Sequence, residues 1–382
     1  MYSVYQHWDP LKTCIVGKTY PPEFFSWIKN SKTRSVFERI AQETEEDYQS
    51  LTKLLQKFNV EVLRPNVPSD SDAVFNPMTN TYLKPPMAPR DYTGMYGESF
   101  IFHRPNIKSI YTDICDPSWP IPSSINTYQD ILNLEPRILD EIRGQFGMDF
   151  DECLICNDDG NELFYGDILN KISNHCNVIY DRSCDLDTAS VTRIGKDIYV
   201  DKDTKHNGIP NVIGSDYRIN LTSHGSHSDG VFCPVVPGLI ISLNDIPTYK
   251  DTFPDWEVIY LPDQSWDKVQ PFLDLKEKNY GKWWIPGEEY NNDIIEVVDT
   301  WLNKWVGYVE ESVFDVNMLV IDEKNVVVNN YNKQVFDALE RYGVTPHICN
   351  FRHRYFWDGG LHCITADVNR EGEMKDYFPE RG

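Results

Sequence analysis

Short apolar runs rich in β-branched residues recur from one end of the chain to the other, and they constrain its fold more than any other feature. Each run is bounded by Gly, Pro, Asn or Asp, a pattern typical of β-strands that end in turns. We therefore expect many short strands distributed over the whole chain. The runs lie at residues 13–17, 60–63, 177–180, 197–200, 238–242, 256–261, 318–321 and 326–328.

Helical patterns alternate with these runs. Between residues 36 and 58 the apolar positions follow a helical stripe, interrupted midway by acidic residues, and Asn59 is typical of a helix stop. A second helix is predicted at 333–342, with Gly343 as its stop and a strand at 344–349. Helices interleaved with short strands over the whole length predict an α/β or α+β fold.

The composition is that of an acidic globular protein. Of the 382 residues, 41% are hydrophobic and 25% charged, which fits neither a disordered nor a fibrous chain. Since no low-complexity linker or abrupt change in composition divides the sequence, we expect a single domain over residues 1–382. The 36 Lys and Arg against 59 Asp and Glu give a formal net charge of −23. This charge argues against nucleic-acid and anionic-membrane partners and suits a cationic small molecule.

Cysteine usage and the first residues bear on the cellular compartment. Nine scattered cysteines do not resemble a disulfide scaffold in a chain this long, so we expect reduced thiols and a cytoplasmic protein. Residues 1–11 lack a basic segment followed by an apolar one, so we expect no secretory signal. No stretch approaches the roughly 18 apolar residues of a membrane-spanning helix.

A cysteine that follows a Gly-Gly turn, in the segment 358–363, is the first candidate for chemistry. Such a turn can bring the backbone around Cys363 close to a ligand. We do not expect His362 to act as its base, because neighbouring residues on a strand face opposite sides. The pattern alone fits a buried structural thiol as well as a nucleophile, which would need a stabilised thiolate and a His from elsewhere in the chain.

Histidine and aspartate also cluster in the Gly- and Ser-rich segment 223–229. On an extended segment His227 and Asp229 share one face, which favours His227 as an acid/base and Asp229 as a substrate-binding carboxylate. His224, His227 and Asp229 are equally a ligand set of the kind that zinc or iron takes. A simple polar turn is the third interpretation.

Three further segments are weaker candidates. Asp187 precedes a predicted turn and strand, and its simplest interpretation is a turn or cap residue. Arg90 and Asp91 have the form of a solvated ion pair in a loop. Cys153 and Cys156 have the spacing of a redox pair or half a zinc site, but no second pair follows at metal spacing.

Six short motifs follow one another over nearly the whole chain. They are residues 8–11 with 15–17, 87–91, 186–189 with 193–198, 227–229 with 237–238, Asn317 with 322–324, and 359–363 with Asp367 and Arg370. In this order they resemble the glycine amidinotransferases (arginine:glycine amidinotransferases) of the guanidine-modifying pentein superfamily. The resemblance implies a five-bladed pseudo-symmetric α/β propeller around a central active-site channel, and a homodimer. It also implies that no metal and no organic cofactor is required.

The resemblance gives a role to five residues. Cys363 would be the nucleophile that attacks the guanidinium carbon of a donor such as arginine. His227 would protonate the leaving amine and then deprotonate an acceptor amine such as glycine, with Asp187 orienting its imidazole. Asp91 and Asp229 would clamp the guanidinium, whose planar fork of donors suits paired carboxylates. The implied reaction is a ping-pong transfer through an amidino-cysteine; the alternatives are a hydrolase releasing citrulline and ammonia, and a non-catalytic binding protein of the same fold.

The chain departs from the family where the amino-acid substrate would be held. The resemblance implies an arginine and a pair of serines at positions that here correspond to Ile246 and to Glu310 and Glu311. Losing an arginine and gaining two carboxylates disfavours a substrate that carries its own carboxylate. We therefore expect an altered preference, toward a donor or acceptor amine without a carboxylate.

Overall fold

The described part of the chain, in a computed structural model, excludes several loops and one long segment. It comprises residues 1–76, 81–103, 159–181, 188–202, 213–214, 216–224, 227–243, 246–261, 270–279, 281–303, 305–306, 315–357 and 359–381. In these ranges no helix is long and apolar enough to cross a membrane. The cysteines described there are free thiols: Cys14, Cys176, Cys233, Cys349 and Cys363.

Short strands and helices alternate along the described chain, as the sequence predicts. The strands are β1 (Leu11–Val16), β2 (Glu61–Leu63), β3 (Phe75–Asn76), β4 (Thr81–Tyr82), β5 (Thr93–Tyr96), β6 (Ser99–His103), β7 (Asn177–Asp181), β8 (Val191–Ile194), β9 (Asp197–Asp201), β10 (Arg218–Thr222), β11 (Phe232–Val236), β12 (Leu239–Ser242), β13 (Glu257–Tyr260), β14 (Leu319–Asp322), β15 (Asn325–Val328), β16 (Thr345–Ile348) and β17 (Thr365–Arg370). The helices are α1 (Ser31–Lys57), α2 (Pro89–Tyr92), α3 (Asp159–Ile172), α4 (Ser228–Val231), α5 (Tyr249–Thr252), α6 (Gln270–Asn279), α7 (Asn292–Val297), α8 (Lys333–Arg341) and α9 (Arg354–Trp357). Short or irregular helical turns lie at Pro22–Trp27, Ser71–Val74, Thr188–Ser190, Val298–Leu302 and Pro379–Arg381.

Within the described residues, the strands form five three-stranded sheets that share one pairing pattern. They are β17-β1-β2, β5-β6-β7, β8-β9-β10, β11-β12-β13 and β14-β15-β16. In each, the first two strands are antiparallel and the third pairs in parallel with the second. A parallel pair needs a crossover, which α1 supplies between β1 and β2 and α8 between β15 and β16. The α/β prediction is confirmed, whereas the arrangement of five blades around one channel stays a prediction.

The predicted helix stops have the expected backbone geometry. Helix α1 begins after Asn30, whose side chain accepts hydrogen bonds from the first turn, and ends before Asn59, which has a φ of 58°. Helix α8 likewise ends before Gly343, at a φ of 71°. The acidic interruption in the apolar stripe of α1 includes Asp47, whose carboxylate accepts hydrogen bonds from Arg352. The interruption therefore marks a polar contact with another segment, and α1 continues through it.

The first sheet joins sequence-distant segments. Strand β17 lies antiparallel to β1, with Leu11 opposite Arg370 and Val16 opposite Thr365. The turn immediately before β17 carries Cys363, so this pairing fixes where the thiol lies. The candidate cysteine is thus positioned by both ends of the described chain.

The turns that precede the first strand of each sheet carry the candidate residues. Asp91 lies in α2 directly before β5, and Asp229 lies in α4 directly before β11. Asn317 comes just before β14, and Cys363 just before β17. Asp187 precedes the helical turn that leads into β8, although Asp187 itself lies outside the described residues. In four of the five sheets, the described turn before the first strand therefore carries a polar or thiol side chain.

Large apolar side chains fill the space around these sheets. One apolar cluster includes residues of α1 and β1 together with Trp305 and Trp357, whose ring centroids lie 5.9 Å apart. A second cluster packs β11 and β12 against β14, β15 and α8. Close packing of this kind resists small displacements, so it holds the turns before the strands in fixed relative positions.

Candidate active site

Cys363 lies in a buried turn beside an amide and a carboxylate. Its Sγ is 2.9 Å from Nδ2 of Asn317 and 3.4 Å from Oδ2 of Asp229. The turn can approach so closely because glycines precede it: a Cβ at Gly359 would lie 3.3 Å from the Cys363 Cβ. Cys363 as a whole is 7% exposed.

Asp229 contacts both the thiol and a histidine through one carboxylate oxygen, and its other oxygen has no hydrogen-bond partner among the described residues. Its Oδ2 accepts a hydrogen bond of 2.8 Å from Nδ1 of His362. Its Oδ1 is buried and has no hydrogen-bond partner among the described residues. Burial alone would raise the pKa of this carboxyl, but the hydrogen bond from His362 and the charges of His227 and Arg90 hold it below its ordinary value. Asp229 is therefore an anion with a free acceptor next to the sulfur.

His362 corrects an expectation from the sequence. Residues 361–364 form a turn and not a strand, so neighbouring side chains need not face opposite sides. His362 and Cys363 both reach the same oxygen of Asp229. Burial first, and then the charge of Arg90, lower the pKa of His362 to about 4. The ring is therefore neutral at pH 7, with Nδ1 as the donor and Nε2 left with a lone pair.

The thiol is electrostatically disfavoured as an anion in the unliganded protein. Burial, followed by the charges of Asp229 and Asp91, raises the pKa of Cys363 well above its ordinary value. The hydrogen bond from Asn317 acts in the opposite direction. A bound cation would offset both carboxylates, and it would therefore favour the thiolate at the moment when a cationic ligand is present.

Four of the five residues that the resemblance assigns fall in one neighbourhood. The charge of Asp91 contributes to the raised pKa of Cys363, and the charge of His227 contributes to the lowered pKa of Asp229. Asp229 in turn contacts Cys363. His227 directly precedes α4 and is half-buried. Asp187 lies outside the described residues. Its neighbour Thr188 is buried and donates its hydroxyl hydrogen bond to the Arg90 carbonyl.

The metal interpretation of the His224 segment finds no support in the described residues. In this part of the chain, no group of three or more His, Cys, Asp or Glu side chains is placed to hold a metal ion. Nδ1 of His224 contacts the Thr222 hydroxyl and lies 3.9 Å from the Asp201 carboxylate. Cys153 and Cys156, the other metal-type spacing, lie outside the described residues.

A buried cluster of three arginines around one aspartate, the arginine cluster, lies beneath the thiol turn. Arg90, Arg193 and Arg370 donate hydrogen bonds of 2.8 to 2.9 Å to the carboxylate of Asp367. All four side chains are at most 4% exposed. The expected solvated pair of Arg90 with Asp91 is thus wrong for Arg90, which is directed inward to Asp367.

Arg90 also holds the backbone on both sides of Cys363. Its Nε donates to the carbonyl oxygens of His362, at 3.0 Å, and of Thr365, at 3.1 Å. These two residues flank Cys363, so the guanidinium clamps the turn from below. Because Asp91 follows Arg90 in α2, one short helix supplies both this buried guanidinium and a carboxylate whose charge acts on Cys363.

The sequence pattern did not assign functions to several of these residues. Asn317 appeared only as a matching position, and Arg193 and His7 received no role. His7 is buried, and its ring lies 5.3 Å from that of His362, centroid to centroid. A buried cluster of charged residues leaves no periodic signal in sequence, because its members come from different sheets.

The positions that depart from the family are only partly within the described chain. Ile246 is 6% exposed and belongs to the apolar cluster around β11 and β12. Its side chain therefore packs in the interior and presents no charge. Glu310 and Glu311 lie outside the described residues.

Curated amidinotransferases are similar to this chain in sequence. The L-arginine:L-lysine amidinotransferase of Pseudomonas savastanoi pv. phaseolicola is 25% identical over 203 residues, which cover 50% of this chain and 46% of that protein. The mitochondrial glycine amidinotransferase of Xenopus tropicalis is 25% identical over 202 residues, covering 50% of this chain and 40% of that protein. The chain thus spans less than half the length of these relatives in the matched regions, and no protein-family profile matches it.

Two solved amidinotransferase structures share the fold over nearly the full length. The inosamine-phosphate amidinotransferase of Streptomyces griseus matches with a TM-score of 0.58 and 20% identity, covering 99% of both chains. The amidinotransferase of the saxitoxin biosynthetic pathway from Microseira wollei matches with a TM-score of 0.59 and 16% identity, again over 99% of both chains. The resemblance to amidinotransferases and the pentein fold are thereby confirmed.

Proposed function

We propose that this chain transfers the amidino group of a guanidine donor to an acceptor amine through a covalent intermediate on Cys363. One observation carries the proposal: the buried Oδ1 of Asp229 has no partner among the described residues, and Oδ2 of the same carboxylate lies 3.4 Å from the sulfur. A buried, unpaired carboxylate oxygen is costly, about 1–3 kcal/mol or more, unless a donor occupies it. A cationic N–H donor beside the thiol satisfies that requirement.

A guanidinium group fits this site better than an ammonium group. Its planar fork presents several N–H donors at once, and it can engage Asp229 and Asp91 while its carbon faces Cys363. Its positive charge offsets the two carboxylates that raise the pKa of the thiol. The donor would therefore generate the thiolate that attacks it, and the free protein would keep an unreactive thiol.

The first half-reaction forms an amidino-cysteine. When the donor is bound, the Cys363 thiol passes its proton to His227, and the resulting thiolate attacks the guanidinium carbon and forms a C–S bond. The C–N bond to the departing amine then breaks, and that nitrogen takes a proton from protonated His227. Asp187 is proposed to orient the imidazole of His227, as the third group of a triad does.

The second half-reaction restores the thiol. An acceptor amine loses a proton to the now neutral His227 and attacks the amidino carbon, forming a new C–N bond. The C–S bond breaks, the thiolate leaves, and the product is a new guanidine. His227 then returns its proton to the sulfur, so the protons balance over the two halves: the thiol proton ends on the leaving amine, and the proton from the acceptor restores the thiol. No redox partner enters either step.

At least one of the two substrates, the guanidine donor or the acceptor amine, is proposed to lack a carboxylate. The two curated relatives carry lysine and glycine in their names, both of which are amino acids. Here Ile246 packs in the apolar interior where the family would supply an arginine. The test compares arginine with agmatine as donor, and glycine with simple diamines as acceptor. Equal or better use of arginine and glycine would contradict this part of the proposal.

The transfer itself is tested by intact-mass analysis after brief exposure to arginine or agmatine. We expect the mass of one amidino group on the protein, and we expect Cys363→Ala to carry none. Product analysis then separates transfer from hydrolysis. Adduct formation from arginine releases one ornithine per protein, so continued release of ornithine only when an acceptor amine is present supports transfer, whereas citrulline and ammonia without an acceptor would identify a hydrolase. The homodimer and the cytoplasmic location stay predictions.

A further inference from the structure

We propose that Asn317 is a positioning residue for the nucleophile: its carboxamide fixes the turn that carries Cys363 and donates a hydrogen bond to the sulfur. The inference rests on the proposed function, in which Cys363 is the nucleophile. Asn317 precedes β14 and is 2% exposed, whereas Cys363 precedes β17. The contact therefore joins two sheets at the point where the chemistry would occur.

The oxygen of the Asn317 carboxamide holds the backbone of the thiol turn. Oδ1 accepts hydrogen bonds from the backbone N–H groups of His362, at 2.7 Å, and Cys363, at 3.1 Å. The approach requires a glycine at position 360, because a Cβ there would lie 2.6 Å from the Asn317 Oδ1. The Gly-Gly turn and the asparagine therefore form one fitted unit.

The nitrogen of the same carboxamide is consequently directed at the sulfur. Rotating the amide by half a turn would place its NH₂ group against two backbone donors, which is unfavourable. In the observed orientation Nδ2 donates to the carbonyl oxygen of Asp229, at 3.2 Å, and to Sγ of Cys363, at 2.9 Å. Two accepted and two donated bonds saturate the amide, so its orientation is determined by contacts on both sides.

The hydrogen bond to sulfur acts against the local charge. Burial and the carboxylates of Asp229 and Asp91 raise the pKa of Cys363, and hydrogen bonds from the Gly360 backbone and from the Asn317 side chain oppose them. A donor favours the anionic form of an acceptor, because the thiolate is the better hydrogen-bond acceptor. Asn317 thus supplies a fixed neutral donor where two negative groups lie close to the reacting atom.

Asn317→Asp separates the two functions of the side chain. Aspartate has nearly the same shape and keeps an oxygen for the N–H groups of His362 and Cys363, but it replaces the donating nitrogen with an acceptor. Asn329→Asp is the matched control. Asn329 is also buried, and its Oδ1 accepts a hydrogen bond of 2.9 Å from a backbone N–H, that of Phe351, away from the thiol.

The measurement is the rate of alkylation of Cys363 by iodoacetamide as a function of pH, followed by peptide mass spectrometry. For Asn317→Asp we expect the rate at a given pH to fall at least about tenfold, because its pH profile moves up by about one unit or more. The Asn329→Asp profile should match that of the parent protein. An unchanged pH profile in a folded Asn317→Asp variant overturns the proposal. Because the new carboxylate also raises the pKa of Cys363 by its charge, slower alkylation supports the proposal only if the uncharged variant Asn317→Ser is slowed as well.

A second variant covers the case in which Asn317→Asp does not fold. Asn317→Ser removes the donor to sulfur without adding a charge, and it should also slow alkylation; a parental rate would overturn the proposal. Iodoacetamide needs neither a donor nor an acceptor substrate. If the Asn317 variants slow alkylation as expected but no amidino adduct forms on Cys363, the proposed function is refuted and the positioning role of Asn317 is not.

Discussion

The thiol site and the arginine cluster lie on the same turn of the backbone, yet they differ in whether their buried polar atoms have hydrogen-bond partners. In the arginine cluster, no buried nitrogen of the three guanidinium groups lacks a partner among the described residues. In the thiol site, Oδ1 of Asp229 and Nε2 of His362 are buried without partners in the same described ranges. A saturated cluster serves structure, whereas an unsaturated one awaits a ligand. The difference supports the proposal that the substrate binds on the thiol side of the turn.

The largest effect is expected from a substitution in the arginine cluster, and it is a loss of stability. Burial would raise the pKa of Asp367, but the charges of Arg193, Arg90 and Arg370 hold it well below its usual range. Asp367→Asn would leave three buried arginines without their counter-ion. We expect the free energy of unfolding to fall by about 3–5 kcal/mol, measured by urea denaturation.

A matched change at the surface serves as the control for Asp367→Asn. Asp337 pairs with Lys333, and both side chains are at least half exposed. Asp337→Asn should leave the unfolding curve unchanged, because exposed ion pairs contribute little. An equal loss in both variants would mean that the arginine cluster is not the structural centre that its geometry indicates.

A substitution in the thiol site should have a different effect: a loss of activity without a comparable loss of stability. Asp229→Asn keeps an acceptor for His362 but removes the charge that would meet a guanidinium. We expect kcat/KM for the guanidine donor to fall by about 10²–10³-fold, with the free energy of unfolding within about 1 kcal/mol of the parent protein.

Alkylation of the thiol gives Asp229→Asn a readout of opposite sign. The charge of Asp229 raises the pKa of Cys363, so removing it should speed the reaction with iodoacetamide. Slower turnover combined with faster alkylation would separate substrate binding from thiol reactivity. Loss of both would indicate that Asp229 has a structural role similar to that of Asp367.

The smallest expected effect concerns pH. The pKa of His362 is about 4 in the folded protein, against an ordinary value of 6.5. The unfolded imidazole takes up a proton as the pH falls below 6.5, while the folded one stays neutral until about pH 4. Its contribution to stability is therefore complete above pH 6.5 and is lost as the pH falls toward 4. Between pH 7 and pH 5 this amounts to about 2 kcal/mol.

Urea denaturation at the two pH values checks this, with His362→Gln as the comparison. Glutamine can still donate to Asp229 but does not titrate. The parent protein should lose more stability on acidification than the variant. His7 contributes in the same direction in both proteins, because burial first, and then the charge of His362, lower its pKa well below 6.5. Equal losses would place the acid sensitivity elsewhere.

The sequence was informative where a local pattern determines the local structure. The strands at 13–17 and 238–242 and the helix stops at Asn59 and Gly343 lie within a residue or two of their predicted places. Period, turn residues and caps are short-range properties, so a single sequence contains them. The ordered motifs that carried the resemblance also predicted the fold.

The contacts that build the site were much less accessible. The alternation rule for strands excluded His362, but the residue lies in a turn, where that rule does not apply. Arg90 of α2 and Arg193 of β8 meet at Asp367 of β17 only because the fold brings these separate segments together. No spacing in the sequence encodes such a meeting. The pairing of Asn317 with Cys363 is of the same kind, since it depends on how two sheets are placed.

The pairing of β17 with β1 has a consequence for the order of folding during synthesis. One edge of β1 stays open until the chain has been made as far as Arg370, because its antiparallel partner is the last strand described. Contacts between residues so far apart form late, since the intervening chain must first be brought together. Cys363, the proposed nucleophile, lies in the turn that enters this last strand. The Cys363 thiol therefore reaches the charged residues around it only after the other sheets have been synthesised. A chain that stops before β17 cannot assemble the site.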